Sequence, residues 1–196
     1  MKLKPDSKVL IQGMAASLSS PYITRMQAYG TQIVAAVSPG EGGSSNNLPV
    51  FDLVEQAVAE VGAIDTTIIF VPPYQALDAA QEAIASGIKQ IIITSAGVPP
   101  LDMVRLLRKA EANETIILGP NSPGIIIPGK LLLGTHASEF YTPGAIGLVS
   151  RSTTLTYEIA LELTKAGLGQ SIGVSIGSDA IIGSSFLQWL QILDED

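Results

Sequence analysis

Five short apolar runs, each followed by an amphipathic stretch, constrain this chain more than any other feature. They are "VLIQ" (Val9–Gln12), "QIVAAV" (Gln32–Val37), "TTIIFV" (Thr66–Val71), "QIIIT" (Gln90–Thr94) and "TIIL" (Thr115–Leu118). Each is nearly continuous in apolar residues rather than alternating, as parallel strands buried on both faces require. The intervening segments Pro21–Tyr29, Asp52–Val61, Tyr74–Ala85 and Leu101–Ala112 carry helical periodicity. Val54, Ala57, Val58 and Val61 recur at i, i+3, i+4 and i+7, which is one stripe of a helix. This βαβαβ order predicts an α/β fold with a doubly wound parallel sheet and right-handed crossovers. Ligands of such sheets sit at the carboxyl ends of the strands, near the point where strand order reverses. The loops after the first four strands are therefore the places to look for a site.

A second rhythm begins at Pro143. "AIGLVS" predicts a strand, Ser152–Gly167 a helix and Gln170–Gly177 another strand. Ser184–Asp196 predicts a closing helix, with Phe186, Leu187, Leu190 and Leu193 as its apolar face. Between the two rhythms, "GPNSPGIIIPGKLLLGTH" (Gly119–His136) is dense in Pro and Gly and predicts irregular structure with a short hairpin or extended pieces. Two parallel strands and two helices are too little sheet to stand alone. The terminal "DED" also opposes the dipole of the helix that carries it. The expectation is that this half packs on the first domain or on another chain, or that the chain is a shortened form of something longer. The last is favoured.

Composition narrows the function classes. With 46% hydrophobic and 15% charged residues over 196 positions, a sizeable core is expected. The formal net charge of −7 is spread along the chain and argues against nucleic-acid binding, which needs a basic patch. The absence of cysteine removes disulfides, thiolate zinc sites and thiol chemistry, and no metal site is expected. The N-terminal "MKLKPDSK" lacks the apolar core of a signal peptide. The longest charge-free run, Val9 to Thr24, is too short and too polar to span a bilayer, so no membrane role and a cytoplasmic location are expected.

Four stretches in order and spacing carry a family resemblance: "AYGT…VSPGEGG" (Ala28–Gly43), "GVPPLDM" (Gly97–Met103), "GPNSPG" (Gly119–Gly124) and "VSRSTTLTYE" (Val149–Glu158), with "NLPVF" (Asn47–Phe51) in support. Together they resemble the α subunit of succinyl-CoA synthetase along the whole chain. The resemblance implies a CoA-binding Rossmann-like domain over residues 1–125, a connection over 126–142, and over 143–196 part of a flavodoxin-like ligase domain. It also implies CoA as cofactor and a β-subunit-like partner or a homo-oligomer. In that family a histidine carries phosphate, in a Gly-His-Ala-type motif lying beyond residue 196. His136, the single histidine here, does not match that motif and is expected to be a solvated loop residue without a role. The chain alone is then not expected to catalyse the family's reaction.

Carried over residue by residue, the family's first loop, Gly-Phe-Thr-Gly-Ser-x-Gly, falls on Gly13, Met14, Ala15, Ala16, Ser17, Leu18 and Ser19. Gly13 and the Ser17 hydroxyl are kept. The threonine becomes Ala15, and the two later glycines become Ala16 and Ser19, whose Cβ atoms restrict the turn or fill phosphate space. Ser20-Pro21 retains a helix-start signature, which attracts anions by itself. In the second loop, after Pro39, the family's lysine is Glu41. One charge pair at 4 Å is worth about 1 kcal/mol in water and about 4 at intermediate dielectric, so reversal changes the balance by roughly twice that. Alternatively, Glu41 points into solvent on its glycine-rich loop.

The fourth loop reads Thr94, Ser95, Ala96, with Ala96 replacing an acidic residue. Asn121 and Pro123 match CoA-loop positions, although Asn121 is equally a turn residue. Ser150, Arg151, Ser152, Thr153 and Tyr157 match the region that holds phosphate and substrate, with Thr153 in place of a glycine. The plainer reading makes Ser152 a helix cap and Tyr157 core filling.

Two functions compete at this point. One is a CoA-ligase α-subunit homologue with a weakened site for CoA or a related nucleotide. The other is a non-catalytic paralogue acting as a binding or regulatory module for a partner protein. NAD binding is disfavoured, because no complete G-x-G-x-x-G is present and the second strand ends in Val37-Ser38-Pro39 without an acid for the ribose.

Overall fold

The structure is a computed structural model and describes residues 6–13, 20–45 and 47–194. In chain order the first unit runs β1 (Lys8–Gln12), α1 (Ser20–Ala28), β2 (Gln32–Val37), β3 (Gly43–Ser45), β4 (Leu48–Phe51) and α2 (Val54–Val61). It continues with β5 (Thr66–Ile69), α3 (Ala76–Ala85), β6 (Gln90–Ile93), α4 (Pro100–Ala112) and β7 (Ile116–Leu118). These strands form one sheet in the order β3-β4-β2-β1-β5-β6-β7. Six strands are parallel, and β3 pairs antiparallel with β4 at one edge. The chain winds from β1 to β2 and β4 on one side, then crosses to β5, β6 and β7 on the other. The switch point is therefore between β1 and β5. This is the doubly wound α/β architecture expected from the apolar runs.

Both faces of this sheet are covered, which is why its strands lack alternation. Leu10, Ala35, Ile69, Ile91 and Ile93 pack with Val54, Ala57, Ala80, Ala83, Met103 and Leu106 of α2, α3 and α4. On the other face Val9, Ile11, Ile33, Ile68 and Ile92 pack with Ile23 and Met26 of α1. The hairpin β3–β4 was not anticipated. Each of its strands is only three or four residues long, and Pro49 interrupts the apolar signal.

The Pro/Gly-rich segment resolves into β8 (Gly124–Ile127) and β9 (Leu131–Gly134), an antiparallel hairpin. Then follow β10 (Pro143–Ser150), α5 (Thr153–Lys165), β11 (Gln170–Ser175) and α6 (Phe186–Asp194). The second sheet has the order β10-β11-β8-β9. β11 is parallel to β10 and antiparallel to β8. The hairpin thus supplies the additional strands that a bare βαβ unit lacks.

One hydrophobic cluster runs through both sheets. Val9, Ile11, Ile23 and Met26 lie in it with Ile125, Ile126, Leu131, Leu132, Leu133, Val174 and Trp189. Polar ties reinforce this union along α1. The Tyr29 hydroxyl accepts from Gly129 N–H at 2.8 Å, and Thr31 Oγ1 donates to Leu132 C=O at 2.6 Å. Arg25 Nη1 reaches His136 C=O at 3.5 Å.

In α6 the buried face is not the one expected from periodicity. Trp189 is fully buried, its indole N–H donating to Ser184 Oγ at 2.9 Å, and Ile192 and Leu193 pack beside it. Phe186, Leu187 and Leu190 are exposed by 44%, 64% and 57%. Apolar residues occur on both sides of this helix, so a 3.6-residue period cannot select the inner one.

Candidate functional site

At the carboxyl ends of β1 and β5, where a doubly wound sheet places its crevice, Gly13 follows β1. This residue has φ 89°, and its N–H donates to Val37 C=O at 3.0 Å. A Cβ there would lie 2.7 Å from Val71 N and 2.8 Å from Val71 Cγ1. Only glycine combines that conformation with so close an approach between the β1 and β5 loops. Ala15, Ala16, Ser17 and Leu18 lie outside the described residues. The chain resumes in α1, and Tyr22 in its first turn stacks on Phe70, with ring centroids 6.2 Å apart and 10° between planes.

The loop after β2 carries Pro39 and Glu41, both exposed. Glu41 is held rather than free. Its carboxylate accepts from Ser38 Oγ at 2.9 Å, and its N–H closes a turn onto Ser38 C=O at 3.1 Å. Asp52 fixes the same loop by accepting from Gly40 N–H at 2.7 Å.

After β6, Thr94 Oγ1 donates to Ile69 C=O at 2.8 Å and Ser95 Oγ donates to Val71 C=O. These hydroxyls stitch the β5 and β6 loops together, leaving Ala96 and Gly97 exposed in front of α4. After β7, Asn121 has φ 55°, and its N–H donates to Ser95 C=O at 2.9 Å. Pro123 is buried, with its carbonyl accepting from Thr135 N–H at 2.8 Å, and so belongs to the base of the hairpin.

The second group of expected residues opens α5. Ser152 caps that helix, its Oγ accepting from Leu155 N–H at 3.4 Å. Ser150 Oγ donates to Ser152 C=O at 3.3 Å, and Thr153 begins the helix. Arg151 turns toward the segment after β11, with Nε on Gly177 C=O at 3.1 Å and Nη2 on Asp179 C=O at 2.5 Å. Tyr157 packs against the rings of Phe140 and His136, at centroid distances of 5.6 and 5.9 Å. Burial is the main cause pushing its hydroxyl pKa up.

His136 corrects the sequence reading. It is fully buried, not solvated. Nε2 lies 3.0 Å from Gly124 C=O, and Nδ1 lies 3.0 Å from the Tyr141 hydroxyl. A carbonyl can only accept, so Nε2 carries the proton and Tyr141 donates to Nδ1. Burial lowers its pKa to about 4, against a smaller raising effect from the Gly124 carbonyl. The hairpin beside it is one of the two forms expected for this segment, but its enclosure of His136 is not.

Asp179 was also missed. It stands alone among glycine, serine and alanine in "IGSDAI", with no periodicity to mark it. Its carboxylate accepts from Gly97 N–H at 2.8 Å, Val98 N–H at 3.3 Å and Asn121 Nδ2 at 3.1 Å. Among the described residues, no three His, Asp or Glu side chains group to hold a metal ion, and no helix is long and apolar enough to cross a membrane.

A doubly wound sheet with its loops gathered at the switch point defines a nucleotide-type binding fold, and residues 4–97 match the family model described as the CoA binding domain. The chain is 44% identical to the succinate–CoA ligase [ADP-forming] subunit alpha 2 of Archaeoglobus fulgidus, over 97% of this chain and 66% of that one. It is 41% identical to the malate–CoA ligase subunit alpha of Methylorubrum extorquens, over its own full length and 68% of that protein. The chain belongs to the succinate–CoA ligase α-subunit family. It spans about two thirds of the length of these curated relatives. The fold is shared with the ATP citrate lyase of Methanothrix soehngenii, solved in complex with citrate and coenzyme A. That match has a TM-score of 0.88 at 20% identity, over 100% of this chain and 35% of the other. A dinucleotide-forming acetyl-coenzyme A synthetase of Ca. Korarchaeum cryptofilum matches at 0.81 and 21%, over 97% and 42% respectively.

Proposed function

We propose that this chain is a CoA-binding α-subunit-like protein that holds CoA in the crevice over β1 and β5. The observation that carries the reading is Gly13, whose conformation and lack of a side chain let the β1 loop close onto Val71. The proposed phosphate-contacting positions are Gly13 and Ala15–Leu18. Pro39, Thr94, Ser95, Ala96 and Asn121 would supply the walls, with Pro123 anchoring the last of them. The CoA-binding unit is taken as residues 1–125 and the ligase-like part as 143–196, with the β8–β9 hairpin joining the sheet of the latter.

The site is read as weakened for anions. Glu41 keeps a carboxylate at the β2 loop, and the Ser95 and Thr94 hydroxyls are engaged by backbone carbonyls. Phosphoryl transfer is not assigned to His136, because burial and two hydrogen bonds withdraw its ring nitrogens from any phosphate. The contribution of these residues is therefore binding. Ser150, Ser152, Thr153 and Tyr157 remain candidates for an acid substrate or phosphate, with Arg151 holding the adjacent turn. A β-like partner subunit fits the α-subunit identity of the relatives.

The test is thermal unfolding with CoA, ADP, phosphate and NAD in parallel. A ligand at about 100 times its Kd stabilises the native state by about 2.7 kcal/mol. For a chain of this size that raises Tm by roughly 5–10 °C. CoA is expected to produce such a shift and NAD none. No shift with millimolar CoA, together with no calorimetric heat, would sink the proposal.

A further inference from the structure

The segment after β11 belongs to the second sheet yet lies against the loops of the first. Gly183 N–H donates to Gly119 C=O at 2.7 Å, and Ser178 N–H donates to Asn121 C=O at 3.3 Å. Gly177, at φ 101°, approaches so closely that a Cβ would stand 2.3 Å from Pro120 C=O. Asp179 is the residue this close approach delivers. One carboxylate oxygen takes the N–H groups of both Gly97 and Val98, while the other takes the side-chain amide of Asn121. Arg151 secures the backbone of the same residue from the start of α5.

We propose that Asp179 is a positioning residue of the CoA crevice, clamping the β6 and β7 loops of the first unit from the second. The inference rests on the CoA-binding reading above. It goes further by assigning control of that site to a residue outside the CoA-binding domain. Charge-assisted hydrogen bonds are shorter and stronger than neutral ones, and here three converge on one carboxylate. Two of the three donors are backbone amides, and one of them belongs to Gly97, which has no side chain to anchor it. The third, Asn121, takes a left-handed conformation that asparagine tolerates, and the carboxylate fixes the direction of its side-chain amide. With the clamp in place, the Ser95–Val98 and Asn121 walls are set before ligand arrives, and binding does not have to order them.

The test compares wild type, Asp179→Ala and Asp179→Asn by CoA titration calorimetry and by amide hydrogen exchange. D179N keeps an acceptor for the two backbone amides, and Asn121 can rotate its own amide to accept from the new NH2. D179A is expected to weaken CoA binding about tenfold through lost preorganisation, and D179N to stay within about threefold of wild type. In D179A the Gly97 and Val98 amides are expected to exchange at least about tenfold faster, with β1 and β5 amides unchanged.

Equal CoA affinity in wild type and D179A overturns the clamp. D179N as weak as D179A overturns its hydrogen-bonding basis, and this variant remains informative if D179A fails to fold. If wild type binds no CoA, the functional proposal fails, and the exchange rates still decide the clamp. Unchanged Gly97 and Val98 exchange then overturns it.

Discussion

At the scale of single residues, His136 shows how burial converts a titratable group into a pH-dependent stability element. Its folded pKa of about 4 lies below the ordinary value of 6.5, so the native state prefers the neutral ring. Above pH 6.5 both states hold it neutral and the full stability is present. Between 6.5 and 4 the unfolded chain takes up a proton that the native state refuses, so stability falls as pH falls. Over that window the loss is about 3 kcal/mol, at about 1.4 kcal/mol per pH unit. Urea unfolding from pH 7 to 4.5 is expected to show this slope, and His136→Gln to flatten it relative to wild type. Equal slopes in the two proteins would show that His136 is not the group responsible. Asp179 is the companion case, where one carboxylate joins three donors from two loops. Neither role was legible in sequence. A single histidine or aspartate carries no period, and its meaning depends on a hairpin or a loop packing against it from elsewhere in the chain.

At the scale of elements, legibility followed burial symmetry. Strands covered on both faces announced themselves, and β2 was anticipated at both ends, Gln32 and Val37. The hairpin β8–β9 was legible only as one alternative for its segment, because Pro128 and Gly129 separate two short apolar runs, and β3 is too short to signal at all. The helix α6 was recognised as a helix, but its orientation was not. Trp189 faces the core, whereas Leu187 and Leu190 face out. Trp189→Ala is therefore expected to destabilise by about 3–5 kcal/mol, the usual range for emptying a large aromatic site. Leu187→Ser and Leu190→Ser, at exposed positions, are expected to stay within about 0.5 kcal/mol. Denaturant midpoints measured on the isolated chain check both. A large loss from L187S would mean that this face is covered by something in solution.

At the scale of the whole molecule, the two sheets share one hydrophobic cluster, and their separation in sequence is not a separation in space. Calorimetry is expected to record a single unfolding peak, with the calorimetric and van't Hoff enthalpies in agreement. The enthalpy near 60 °C for 196 residues is on the order of 140 kcal/mol. Two resolved peaks would show that the shared cluster does not couple the units. The parallel sheet was legible in the sequence, and its strand order brings the loops after β1, β5, β6 and β7 to one end. The walls of the candidate crevice were legible as positions but not as contacts. Ser95, Thr94 and Glu41 look available for a ligand when read along the chain, yet each is hydrogen-bonded within the loops.

The helix α1 starts beside the candidate crevice and packs on β9, tied to the second sheet by Arg25 and by Tyr29 just beyond its end. Its nine residues make a rod of about 13 Å. Pivoting such a rod by about 5° at the crevice sweeps its far end through about 1 Å, enough to disturb a hydrogen bond. Mechanically, α1 is a short lever with one end beside the candidate crevice and the other on the second sheet.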